Sequence, residues 1–219
     1  NKTLDLKKKY MYASEDERQI DFYLPMFPAF IVFFFTFITS MITFHRERAR
    51  GTLERLLMAP ISYRHIILGY IGGFLIFSGL QACIILGFVI KLVHLDLSSI
   101  QIGILFLVTF ITLLIGLICG LFVSFLANNE FQAMQFIPVV ILPQVFLCDM
   151  VWPISSFPLF FQWLAKVMPL TYANTIIRNV LIKNTPLWHS WSSLIMLMVF
   201  FFIVLSAFLL IANRSARLK

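Results

Sequence analysis

The sequence predicts an all-α integral membrane protein, a polytopic bundle of helices, and three observations lead to this prediction. Hydrophobic residues make up 60% of the 219 residues, whereas charged residues make up only 12%. A soluble domain carries roughly twice that share of charge, so the surroundings of this chain must be partly lipid. The apolar residues form five long runs, and the charged residues fall between these runs.

The five apolar runs are the predicted membrane spans. The first, 24–44, holds 21 residues without a charge, and a helix of that length measures about 30 Å, the thickness of the hydrocarbon core. Pro25 and Pro28 lie near its start, where proline is tolerated, whereas Pro138 and Pro143 interrupt the fourth run. The predicted spans are 24–44, 66–90, 102–127, 131–148 and 191–212.

Three segments lie outside these spans. Residues 1–23 are polar, and we expect them to be extracellular, the end of a missing extracellular region that follows a sixth span before residue 1. Residues 150–190 hold four prolines and several aromatic residues. This pattern favours a re-entrant outer helical hairpin, because irregular backbone at membrane depth must be covered by protein or line a cavity. Residues 213–219 form a basic cytoplasmic tail.

The basic residues indicate the orientation of the chain. The net charge is +7, and loop 45–65 and the tail together hold eight Lys and Arg, against four in the loops of the opposite side. The positive-inside rule therefore puts 45–65, the turn 128–130 and the C-terminus in the cytoplasm, with the net-neutral N-terminal segment outside. Short blocks of basic residues between apolar runs indicate contact with membrane lipids rather than with nucleic acid. The three cysteines and four histidines lack metal-ligand spacing, so we expect no metal site.

Loop 45–65 contains a short amphipathic segment. Thr52 is a suitable cap for a helix of about 51–60 that Pro60 would end. Leu53, Leu56 and Leu57 then share one face, and Glu54 and Arg55 lie on the others. Such a helix can lie on the membrane surface or dock into a groove of a cytoplasmic partner, and the spacing favours neither.

The residues of this loop resemble the signature of a known family. The string from Arg46 to Ser62, RERARGTLERLLMAPIS, looks like the R-E-R-x-x-G-T-L-E-x-L-L-x-x-P-[IV]-S signature of ABC type-2 permeases, the membrane subunits of bacterial exporters. Similar matches follow downstream at 132–138, 142–144, 152–154, 169–173 and Arg178. Met168 and Asp149 depart from the family pattern.

In this chain the first of these matches reads, residue by residue, Arg46-Glu47-Arg48-Ala49-Arg50-Gly51-Thr52-Leu53-Glu54-Arg55-Leu56-Leu57-Met58-Ala59-Pro60-Ile61-Ser62. The resemblance implies that two permease subunits pair, as a homodimer or a heterodimer, in the bacterial cytoplasmic membrane. It also implies that each sets its first cytoplasmic loop into an ABC ATPase subunit. The residues expected at this ATPase contact are Arg46, Glu47, Arg48, Gly51, Thr52, Leu53, Glu54, Arg55, Leu56, Leu57 and Pro60.

The chain has no P-loop of its own. None of its nine glycines is followed by Lys, so a Walker A motif is absent from the sequence. We therefore expect no cofactor and no ATPase site in this chain, with ATP and Mg bound by the partner ATPase.

Two further sets of residues have both a packing and a functional interpretation. Gly69/Gly73 and Gly116/Gly120 are pairs of small residues one helical turn apart, which allow helices to approach closely within the subunit or at a dimer seam. Gln81, Gln135 and Gln144 are polar residues in apolar runs, and they either line a substrate path or bond to neighbouring helices. Asp149 is either part of an outer gate or an acid at the membrane interface.

The alternative function is an ion-coupled secondary transporter or a channel. An ion-coupled carrier usually keeps ionisable residues in mid-membrane, and the five runs hold none. A membrane-embedded enzyme would need convergent acid, base or nucleophile groups, and the motifs of such sites are absent. The sequence leaves the exported substrate open among drug, antibiotic, lipid and polymer-like molecules.

Overall fold

A computed structural model describes residues 24–58, 63–93, 97–150 and 154–217 of the chain. Within these ranges the chain is helical and has no strand, so the predicted all-α class is confirmed. The expectations for residues 1–23 and for Pro60 lie outside the described residues, as do those for the side chains of Leu53, Glu54 and Leu57.

Eight α-helices follow one another along the described part of the chain. They are α1 (Phe27–Ala49), α2 (Thr52–Leu57), α3 (Tyr63–Val93), α4 (Ser99–Leu126), α5 (Glu130–Leu147), α6 (Leu159–Ala165), α7 (Pro169–Ile177) and α8 (Trp191–Arg217). Five stretches are long and apolar enough to cross a membrane, namely Phe27–Ala49, His65–Lys91, Ser99–Leu126, Glu130–Leu147 and Leu187–Ala212. Their lengths differ widely, because α3 has 31 residues and α5 has 18.

Helix α4 is the centre of the bundle, and α1 packs along it more extensively than any other helix. The close approach depends on two glycines. A Cβ added at Gly116 would lie 2.9 Å from the carbonyl oxygen of Phe33, and one at Gly120 would lie 2.5 Å from that of Phe37. The hydroxyl of Ser40 donates to the carbonyl of Leu117, 3.3 Å away, across the same contact. The small residues therefore bring the two backbones together, as they do in other membrane helix pairs.

The outward faces of the bundle are apolar. On α3 the exposed side chains Ile76, Leu80, Ile84 and Phe88 recur every four residues, which places them on one face of the helix. A stripe of this kind would be costly in water, because each of these side chains loses favourable burial. Lipid is the solvent that matches it.

The stretch 150–190 consists, where it is described, of short helical pieces rather than one span. Helix α6 is followed by α7, which continues into a π-helical turn, Arg178–Ile182, and a 3-10 turn, Leu187–Ser190, precedes α8. Helix α7 is buried along one side through Leu170, Ala173, Ile176 and Ile177, and it packs against α4 and α8. Protein thus covers one side of α7, whereas Leu159, Phe160 and Trp163 of α6 are exposed.

Candidate functional site

The loop between α1 and α3 carries the family-like signature, and its backbone turns at Gly51. This residue has φ 72° and ψ 10°, in the left-handed region, and it is the cap of α2. Side chains with a Cβ are strained in this region, so glycine suits the position. Sequence analysis predicted Thr52 as the cap, which is wrong, since Thr52 is the first residue of the helix and Gly51 has no side chain that could bond.

Helix α2 is shorter than predicted and directs part of its surface outward. It covers Thr52–Leu57, not 51–60, and Met58 forms its C-terminal cap. Arg55 and Leu56 are exposed, and Met58 is 90% exposed. Met58 did not appear among the expected contact residues, and with Leu56 it gives this surface two exposed apolar side chains.

Arg46, Glu47 and Arg48, near the end of α1, have partners within the chain. The Arg46 guanidinium donates to the Glu130 carboxylate, with Nε 2.8 Å and Nη2 2.6 Å from Oε1. The Arg48 Nη1 donates to the carbonyl oxygen of Ser124 at 2.7 Å, and its guanidinium carbon lies 4.6 Å from the centre of the Phe125 ring. Within the chain these two arginines contact the end of α4 and the start of α5, and their expected contact with the ATPase stays a prediction.

Glu47 also has a partner inside the chain. The Tyr70 hydroxyl of α3 donates to Oε2 of Glu47 across 3.5 Å. Together with the contacts of Arg46 and Arg48, this hydrogen bond ties the C-terminal end of α1 to three other helices. The loop therefore presents Arg55, Leu56 and Met58 from a base that the chain itself holds in place.

The charges at this base suit the helices that they meet. Ser124 lies in the last turn of α4, where carbonyl groups lack helical partners and the helix dipole is negative. Arg48 satisfies one of these carbonyls with a positive group. Glu130 lies in the first turn of α5, at the positive end of that dipole.

An apolar groove runs beside α2, between α1 and α3, and has a volume of about 660 Å³. Gly69 and Gly73 line it together with Leu56, and a Cβ added at either glycine would meet no atom within 4 Å. Of the two roles predicted for this pair, close packing against another described helix of the chain is not seen, and packing at a dimer seam stays a prediction. Gly116 and Gly120, by contrast, lie at the α1–α4 contact.

At the opposite end of the bundle Asp149 forms an ion pair with Arg178. Asp149 has φ 58°, and its Oδ1 accepts a hydrogen bond from the backbone N–H of Ile154 at 3.0 Å. Nearby, the Asn174 amide donates to the carbonyl of Cys148 at 2.8 Å. These contacts fasten the end of α5 to α7. Sequence analysis named Asp149 and Arg178 separately and did not pair them.

The three glutamines lie on two different helices. Gln81 lies on α3, while Gln135 and Gln144 lie on α5, and α1 packs against both of these helices. Gln135 is exposed and Gln144 is 4% exposed, because nine residues along a helix bring the two side chains to opposite faces. In the described part of the chain no three His, Cys, Asp or Glu residues lie together as metal ligands would.

Residues 7–182 match the family of ABC-2 type transporters. The chain is 25% identical over 212 residues to ABC transporter G family member 20 of Dictyostelium discoideum, an alignment that covers 95% of this chain and 29% of that protein. It is 29% identical over 181 residues to the probable multidrug ABC transporter permease YbhR of Escherichia coli strain K12, covering 81% of this chain and 48% of that protein. The chain thus spans less than half the length of these relatives.

Proposed function

The chain belongs to the ABC-2 type transporter family, and from this premise we propose that it is the permease of an exporter driven by ATP that a separate subunit hydrolyses. The family membership makes it the membrane part of an ABC transporter. The proposal adds the direction of transport, the ATPase subunit with its ATP and Mg, and a second permease subunit, as a homodimer or heterodimer. It also adds the bacterial cytoplasmic membrane as the location.

The observation that carries the proposal is the outward face of α2. Arg55, Leu56 and Met58 project from a helix whose base is fixed by Arg46, Glu47 and Arg48. A rigid base lowers the entropy that the loop loses on docking, so exposed side chains there can bind a partner more tightly. Leu56 and Met58 supply apolar area, and Arg55 supplies a charge at the rim.

The substrate is proposed only as a class. One relative is named as a probable multidrug permease, and the many aromatic side chains of the spans suit an amphipathic cargo. We therefore propose an amphipathic drug-like, antibiotic or lipid-like substrate.

Co-purification tests the ATPase partner. The tagged chain is expressed with the ABC ATPase encoded beside it and purified from membranes, and the ATPase is identified by mass spectrometry. We expect Leu56→Asp to reduce the bound ATPase strongly, because a carboxylate would be placed at an apolar contact. Leu159→Asp is the matched control, since Leu159 is a 73% exposed leucine on α6, far from the loop. Equal recovery of ATPase with wild type and Leu56→Asp, or none with wild type, would contradict the proposal.

A further inference from the structure

We propose that Arg46 and Arg48 are positioning residues that pass the movement of α2 to α5 through the corner where α4 ends and α5 begins. This inference rests on the proposed function, because it assumes that an ATPase moves α2. The contacts that form the corner involve Arg46, Arg48, Ser124, Phe125 and Glu130, and we refer to them as the corner clamp.

The two arginines hold both helices that flank the turn at 127–129. Arg48 binds the last turn of α4 through the carbonyl of Ser124 and stacks over Phe125. Arg46 binds Glu130, the first residue of α5. A displacement of the end of α1 therefore acts on the two helices at once.

The clamp lies next to α2 along the chain. Helix α1 ends at Ala49 and α2 begins at Thr52, so only Arg50 and Gly51 separate them. Arg50 has α-helical φ and ψ, and its N–H still bonds to the carbonyl of Arg46. A connection of two residues transmits a displacement of α2 to the arginines with little loss, because few backbone dihedrals can absorb it.

Helix α5 is the compliant partner in the corner. Helices α1 and α4 are locked along their length by buried Phe33 and Phe37 against Gly116 and Gly120. Most of the side chains of α5 are exposed or half-buried. Pro138 and Pro143 lie inside α5, and each removes a helical hydrogen bond, which makes the helix easier to bend. A force applied at Glu130 is thus taken up by α5 rather than by the α1–α4 pair.

The far end of α5 is fastened in turn. Asp149, two residues beyond the helix, pairs with Arg178 next to α7. Because this end is held, a movement that enters α5 at Glu130 bends the helix between its two fastened ends. The corner clamp is the fastening at the cytoplasmic end.

The corner pair also allows a clean test. Arg46 and Glu130 have side chains that are 50% and 47% exposed, and exposed ion pairs contribute little to folding. Loss of the ion pair between Arg46 and Glu130 should therefore change the response of α5 to ATP without unfolding the protein.

The experiment uses the complex of the chain with its ATPase subunit in lipid vesicles. Cys83, Cys119 and Cys148 are replaced, and Gln135→Cys adds a single thiol on the exposed face of α5. The rate of maleimide labelling is compared without nucleotide and with ATP and vanadate. We expect the wild-type complex to show an ATP-dependent change in the labelling rate. Arg46→Glu and Glu130→Arg should each lose most of this change. The double variant Arg46→Glu/Glu130→Arg should restore the change, because it rebuilds the pair with exchanged charges.

Arg50→Glu is the matched control, since it makes the same change of charge at an exposed arginine of the same loop. It should keep the ATP-dependent change. If the corner clamp had only a structural role, Arg46→Glu would lower the unfolding temperature and keep the ATP-dependent change in labelling rate. The inference is overturned if Arg46→Glu retains the wild-type change, if the double variant fails to restore it, or if the wild-type complex shows none. Failure of the proposed function appears separately, as a wild-type chain that binds no ATPase.

Discussion

The guanidinium of Arg48 donates to the carbonyl oxygen of Ser124 at 2.7 Å, where the C-terminal ends of α1 and α4 meet. The two residues are 76 positions apart in the chain, and their contact closes the end of the most extensive helix pair in the bundle. The loop between α1 and α3 therefore starts from a fixed base, and the following predictions test that base and the bundle that supports it.

Replacing Gly51 should weaken ATPase binding through the backbone. Gly51→Ala forces a Cβ into the left-handed region, at a cost of about 1–2 kcal/mol, and so should change the angle at which α2 leaves α1. Gly51→Asn is the matched control, because Asn adopts this region more readily. Co-purification of the ATPase should fall in the order glycine, asparagine, alanine, and equal recovery from all three would contradict the prediction.

Adding one methyl group at Gly120 should loosen the bundle. The new Cβ would lie 2.5 Å from the carbonyl of Phe37, and overpacking of this kind costs about 1–3 kcal/mol. Gly87→Ala is the control, since a Cβ there meets no atom within 4 Å and gains the same helix propensity. Thermal unfolding in detergent should show Gly120→Ala melting below wild type and Gly87→Ala at or above it. An unchanged melting temperature for Gly120→Ala would show that the α1–α4 contact is looser than described.

The two ion pairs should differ in their effect on stability. Asp149→Asn removes a charge whose side chain is only 16% exposed, and the loss of a hydrogen bond to a charged group costs about 1.5–3 kcal/mol. Glu130→Gln removes the charge of the half-exposed pair with Arg46, which should cost less than about 1 kcal/mol. Unfolding of the two variants in denaturant measures the difference, and a larger loss for Glu130→Gln would refute this ranking.

The cytoplasmic position of α2 can be checked by labelling. Met58→Cys, at a position that is 90% exposed, is placed in a chain whose three native cysteines are replaced. An impermeant maleimide should label it in inverted membrane vesicles and not in intact cells. Leu159→Cys, on α6, should give the reverse result. Labelling of position 58 from outside intact cells would invert the orientation derived from the basic residues.

The spans could be predicted from the sequence because lipid imposes a simple rule on composition. A run of apolar residues long enough to cross the hydrocarbon core leaves few alternatives to a helix, and all five runs are helical. The residues at which the helices end were harder to predict. Helix α1 continues past residue 44 to Ala49, and α8 continues past residue 212 to Arg217, because a charged residue can extend a helix into the aqueous layer.

The contacts between helices were not predictable in the same way. Gly69/Gly73 and Gly116/Gly120 have the same spacing, yet only the second pair meets another backbone. Arg46 and Glu130 are 84 residues apart, and no periodicity connects them. A one-dimensional pattern tells which side chains share a face, whereas their partners depend on the order in which the helices pack.

The unequal lengths of α3 and α5 have a consequence for the membrane in which the protein works. At 1.5 Å per residue, the 31 residues of α3 extend about 46 Å and the 18 residues of α5 about 27 Å. A helix of about 27 Å matches a thin bilayer. In a thicker bilayer the hydrocarbon core exceeds the apolar length of α5. Bilayer thickness therefore acts first on α5, and a change of acyl-chain length should shift the activity of the protein without any change in its sequence.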